Sequence, residues 1–189
     1  MSMRKIGMFM LILCTALLCC GSLFAATYYV DVDNGNNAND GLSQASAWKT
    51  IGNGEATNAL SSGDTVKVLA GTYGPTALTN KSNGVTYLSE EGALIYAAEP
   101  NTTDNGFNLS GVSGATIKGF VFSGLHRGIY LENGSSDIRV TGNRFEDLHL
   151  QGGGEGCGVW VWSGSNVTID HNIFKNVGTG PSEGCIVTG

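Results

Sequence analysis

Three stretches decide the fold: Ala115-Thr116-Ile117-Lys118-Gly119-Phe120-Val121-Phe122, Ile138-Arg139-Val140-Thr141-Gly142-Asn143-Arg144-Phe145 and Val167-Thr168-Ile169-Asp170-His171-Asn172-Ile173-Phe174. They align at offsets of 23 and 29 residues. Aliphatic residues alternate, a polar turn follows, and Phe closes each unit. A period of two inside a period of 20 to 30 residues marks a solenoid of stacked β-coils. One coil cannot bury its own apolar face, so the coils must stack.

Reading outward, the coils resolve into columns. Phe107 and Leu109, Ile129 and Leu131, and Val159 and Val161 share the inward parity of one strand set. Ala115/Ile138/Val167 and Ile117/Val140/Ile169 form inward columns of the next. Phe122, Phe145 and Phe174 should stack as an aromatic ladder, and Asn143 and Asn172 as an asparagine ladder at a turn. Leu125, Leu148 and Val177 complete the core. An offset of 28 residues matches Val187 to Val159 and Cys185 to Cys157, so the two cysteines are expected as stacked neighbours, bridged or as buried thiols. The sequence stops one strand into a new coil, which predicts a C-terminally incomplete solenoid.

The first 25 residues have a leader's composition. Arg4 and Lys5 precede an uncharged apolar run of 15 residues, Ile6 to Cys20, and Ala25 is the expected cleavage point. The run is short for a membrane span. Lipid attachment through Cys19 or Cys20 ranks below simple cleavage, because Cys19 rather than Gly, Ala or Ser precedes Cys20. About 164 residues remain, enough for one domain. Without Arg4 and Lys5 the chain has 8 basic and 16 acidic residues, which argues against nucleic acid as a partner. Twenty-nine Gly against 3 Pro suit tight turns between short strands.

Thr27 to Val32 reads as a first strand, Glu55 to Leu60 as a short helix, and Thr65 to Leu69 as a second strand. Tyr28-Tyr29-Val30-Asp31, Asn39-Asp40-Gly41, Trp48-Lys49-Thr50-Ile51, Ser62-Gly63-Asp64-Thr65-Val66 and Gly71-Thr72-Tyr73 resemble the N-terminal cap of secreted right-handed parallel β-helix proteins of the pectate-lyase-like superfamily. The expected organisation is a signal peptide at 1–25, a cap at 26–64 and coils over 65–189. The resemblance implies a secreted or cell-surface protein whose partner is a polysaccharide or oligosaccharide. It implies either a lyase or hydrolase, or a non-catalytic glycan-binding or structural β-helix. For a lyase it further implies calcium held by carboxylates, and a Lys or Arg base.

The candidate binding site lies on the outward parity. With Ile129, Leu131, Val159 and Val161 inside, Tyr130 and Trp160 stack outside in one column and Glu132 and Trp162 in the next. Aromatic faces suit the C–H face of a sugar ring, and a carboxylate alongside accepts from hydroxyls. The alternative is a loop from Leu148 to Glu155 folded over the rings. Candidate catalytic residues are Asp147, His149 and Glu155, in the long turn of the second coil. Candidate calcium ligands are Asp31, Asp33 and Asp40, although their spacing suits turn formation as well. Asp170-His171-Asn172 is read as a structural turn.

Overall fold

The structure is a computed structural model, and it describes residues 25–98, 104–148, 156–178 and 186–188. The chain winds as a right-handed parallel β-helix with three sheets. Sheet A holds β1 (Thr27–Val30), β2 (Thr65–Val68), β5 (Thr86–Leu88), β8 (Thr116–Lys118), β12 (Arg139–Thr141) and β16 (Thr168–Asp170), in that order. Sheet B runs β3 (Thr72–Tyr73), β6 (Leu94–Tyr96), β9 (Val121–Ser123), β13 (Arg144–Leu148) and β17 (Ile173–Val177). Sheet C runs β4 (Thr76–Leu78), β7 (Asn105–Ser110), β10 (Arg127–Glu132), β14 (Cys157–Val161) and β18 (Ile186–Thr188). A small fourth ladder pairs β11 (Ser135–Ser136) with β15 (Gly164–Ser165).

The columns expected from the repeat are the observed registers. Val140 pairs Ile117 on one side and Ile169 on the other, and Ile129 pairs Phe107 and Val159. Phe107, Leu109, Ile117, Phe122, Ile129, Leu131, Val140, Phe145 and Val159 are fully buried. Phe122, Phe145 and Phe174 form the ladder, with rings 5.0 and 4.9 Å apart and within 10° of parallel. Large side chains stack along the narrow prism, so burial accumulates coil by coil.

Two backbone devices turn the corners. Between β11 and β12, and at the equivalent turns, the column Gly63, Gly84, Gly114, Asp137, Asn166 has φ of 96°, 69°, 73°, 56° and 53°. The left-handed region is open to Gly and tolerated by Asp and Asn, which accounts for the residue types. His171 occupies such a turn too, at φ 55° and largely exposed. The second device is a glycine column, Gly106, Gly128 and Gly158, just before the inward Phe107, Ile129 and Val159. A Cβ on Gly128 would lie 2.5 Å from Phe145 Cε1 and 2.6 Å from the Gly158 carbonyl oxygen. Only Gly allows sheet C to bend this close to the Phe ladder.

The N-terminal segment closes one end. β1 pairs in parallel with β2, so it extends sheet A as well as capping it. Trp48 is 1% exposed, stacks on Tyr28 at 4.7 Å and donates its indole N–H to the Asn39 carbonyl at 3.0 Å. The helix here, α1, spans Asn53–Ala56 rather than 55–60, because Asn58 takes a positive φ of 53° and ends it. Its Glu55 is buried, accepts from the Thr79 N–H at 2.7 Å and from the Ser82 hydroxyl, and so ties the cap to the first coil.

At the other end the offset is 27, not 28. β14 pairs β18 with Val159 opposite Ile186 and Trp160 opposite Val187. The expected match of Val187 to Val159 is thus shifted by one residue. Cys157 is buried, while Cys185 and residues 1–24 of the expected leader (1–25) lie outside the described residues.

Candidate functional site

The outer face of sheet C carries a column in the register Ala77, Asn108, Tyr130, Trp160. Tyr130 and Trp160 stand on adjacent rungs as expected, half-buried, with ring centroids 6.3 Å apart and nearly perpendicular. Trp162 follows Trp160 at 6.3 Å, with 61° between the rings, and is 60% exposed. Paired register ends at Leu131–Val161, and the Trp162 N–H donates to the Leu131 carbonyl at 2.9 Å. Glu132 is half-buried and pairs Ser110 on the other side. Three aromatic rings thus lie edge to face, two on sheet C and Trp162 just past the end of β14.

Arg127 belongs to this cluster and was not legible. Its guanidinium carbon sits 4.2 Å from the Trp160 ring centre and 5.1 Å from that of Tyr130. Nη1 donates to Asn105 Oδ1 at 3.2 Å. Contacts of this kind contribute about 0.5–2 kcal/mol and hold the rings in place. Parity counted back from Ile129 assigns Arg127 to the core. The bend at Gly128 turns it outward, and the Arg127-Gly128-Ile129 step, against Asn105-Gly106-Phe107 and Cys157-Gly158-Val159, is the signal that could have shown this. Two buried polar atoms of the same column, Trp160 Nε1 and Asn108 Oδ1, lack hydrogen-bond partners among the described residues. Buried groups left this way are costly and mark places where a ligand group can contribute.

Asp147 lies elsewhere, exposed near the end of β13 with φ 52°. Its carboxylate accepts from Asn176 Nδ2 at 2.9 Å, at the equivalent position of β17 one coil on. His149 and Glu155 lie outside the described residues. Asp31 accepts from the N–H groups of Asp33 and Asn34 at 2.9 and 3.0 Å. Asp40 accepts from the Leu42 N–H and the Ser46 hydroxyl at 3.0 and 2.7 Å. These bonds, led by the Asn34 N–H for Asp31 and the Ser46 hydroxyl for Asp40, hold both carboxyls below their usual range. Both aspartates therefore form turns. Among the described residues, no three His, Cys, Asp or Glu side chains converge as a metal site.

The family model described as "Right handed beta helix region" matches residues 36–189. Among solved structures, a rhamnogalacturonan lyase is similar at a TM-score of 0.57 and 18% identity, covering 76% of this chain and 40% of its own. A lacto-N-biosidase from Eubacterium ramulus is similar at 0.61 and 14% identity, covering 86% of this chain and 36% of its own. The chain spans about two fifths of the length of either. No curated protein matches the sequence.

Proposed function

The chain belongs to the right-handed β-helix family, and from that premise we propose that it is a carbohydrate-active protein of the secreted or cell-surface space that holds a glycan chain on the outer face of sheet C. The observation that carries this reading is the Tyr130–Trp160–Trp162 series, three rings edge to face with Trp162 60% exposed. A β-strand directs alternate residues outward, so a single-core solenoid does not bury such rings by itself. Sugar rings present C–H faces to aromatics, and their hydroxyls both donate and accept. Trp160 Nε1 and Asn108 Oδ1 offer one donor and one acceptor two rungs apart, suited to separate hydroxyls of an extended chain. Glu132 adds an acceptor, and Arg127 fixes the rings.

The two similar structures are named for a lyase and a glycosidase, which supports the carbohydrate class. The test is native affinity electrophoresis of the purified protein through gels containing neutral and acidic polysaccharides. Retardation by at least one, reduced by free oligosaccharide of the same glycan, is the expected result. Unchanged mobility in every gel overturns the reading. Incubation with the retarding glycan separates an enzyme from a binding protein: elimination yields unsaturated ends, hydrolysis yields reducing ends without unsaturation, and a spacer or binding module yields neither.

A further inference from the structure

The backbone nitrogen of Ala26 donates to Asp64 Oδ1 at 2.7 Å. Asp64 is 4% exposed, and its other oxygen accepts the Ser61 N–H at 2.8 Å. Among the described residues no Lys, Arg or His pairs with this carboxylate. Its negative charge contributes to raising the Tyr28 hydroxyl, after burial itself. The Ala26 carbonyl accepts from the Thr65 N–H at 2.9 Å, so Ala26 is the first residue seated on β2. Ala25 before it is exposed. A buried carboxylate with two N–H partners and no cation lacks the charge partner such groups ordinarily have.

We infer that the Ala25–Ala26 peptide bond is the maturation cleavage site, and that Asp64 is the receptor for the α-ammonium group that cleavage creates at Ala26. In the step, water hydrolyses the amide under the action of the leader peptidase of export. Ala25 departs with the new carboxylate, and the Ala26 nitrogen takes up a proton and becomes an ammonium. The 2.7 Å amide contact then becomes a charge-assisted hydrogen bond to a buried carboxylate. Maturation would lock the cap strand onto the first coil.

Two measurements on the exported full-length protein test this. Intact-mass analysis with N-terminal sequencing should give a chain starting at Ala26. A start at any other residue, or a lipidated Cys19 or Cys20, overturns the inference. The α-amino group is then titrated by its rate of acylation against pH, folded and in urea. An unperturbed α-amino group titrates at about 7.7–8.0. In the folded protein the midpoint should rise by at least about one unit, a roughly six- to eightfold slower acylation near pH 7.5, and Asp64→Asn should return it to the unfolded value. An equal midpoint in the folded and unfolded wild-type protein contradicts the assignment even if Asp64→Asn does not fold.

Discussion

Asn143 Nδ2 donates to the Asn172 side-chain oxygen at 3.1 Å in the next coil, while Asn143 Oδ1 accepts the Phe120 N–H of the previous coil at 3.0 Å. The ladder thus ends on Phe120, which occupies the equivalent position in its own coil and is 1% exposed. Nδ2 also reaches the Ile117 carbonyl at 2.9 Å. One amide thus bonds the Phe120 N–H at the turn after β8 and a carbonyl of β8 itself.

Asn143→Ala therefore leaves the buried Phe120 N–H without its partner and removes a second donor from the Ile117 carbonyl. At about 1–3 kcal/mol for such a group, the loss should be about 1–3 kcal/mol. Urea unfolding should show a lower midpoint at unchanged slope. A midpoint within error of the parent would show that the ladder contributes nothing net.

Gly128→Ala tests the bend. Its Cβ would meet the Phe145 ring and the Gly158 carbonyl, which is backbone and cannot step aside. Overpacking of this kind costs about 1–3 kcal/mol or more. Gly134→Ala is the control, since nothing lies within 4 Å and only its φ of 77° opposes the change, at about 1–2 kcal/mol. Thermal unfolding should rank Gly128→Ala below Gly134→Ala, and the reverse order would refute the packing role.

The inward columns were legible because a period of two inside a coil-length repeat reports which side chains face the core. Phe122, Phe145 and Phe174 were placed by that alone, and so were Tyr130 and Trp160 outside. The corners were not legible. Parity counting assumes unbroken alternation, and the bend at Gly128 breaks it, which hid Arg127. The turn column Gly114, Asp137, Asn166 changes residue type from coil to coil, because what repeats is a backbone conformation. The one-residue shift at Ile186 arose because coil lengths vary, so an offset taken from the cysteines does not carry to the strand. Asp64 was read as part of a turn phrase, and its contact with Ala26 depends on β1 returning to β2 across 38 residues.

Asp170 supplies a prediction in acid. A hydrogen bond from Thr141 and then one from Arg139, at 2.8 Å, lower its carboxyl to about 2. A depressed folded value contributes stability that is present above the unfolded value, near 3.9, and lost as pH falls through the folded one. The contribution should therefore disappear between about pH 4 and pH 2. Carboxyl NMR should place the Asp170 midpoint near 2, and Thr141→Val and Arg139→Ala should each raise it. A midpoint near the ordinary value in the parent would contradict the assignment.

The most direct measurement is the dissociation constant of the retarding glycan for the parent and for Trp162→Ala and Trp160→Ala, alongside their unfolding midpoints. Trp162 is exposed, so its removal should change stability by less than about 0.5 kcal/mol. A used stacking ring contributes on the order of 1–3 kcal/mol, so binding should weaken roughly ten- to hundredfold, with Trp160→Ala at least as weak and still folded. Full affinity in both folded variants would contradict a glycan site on the outer face of sheet C.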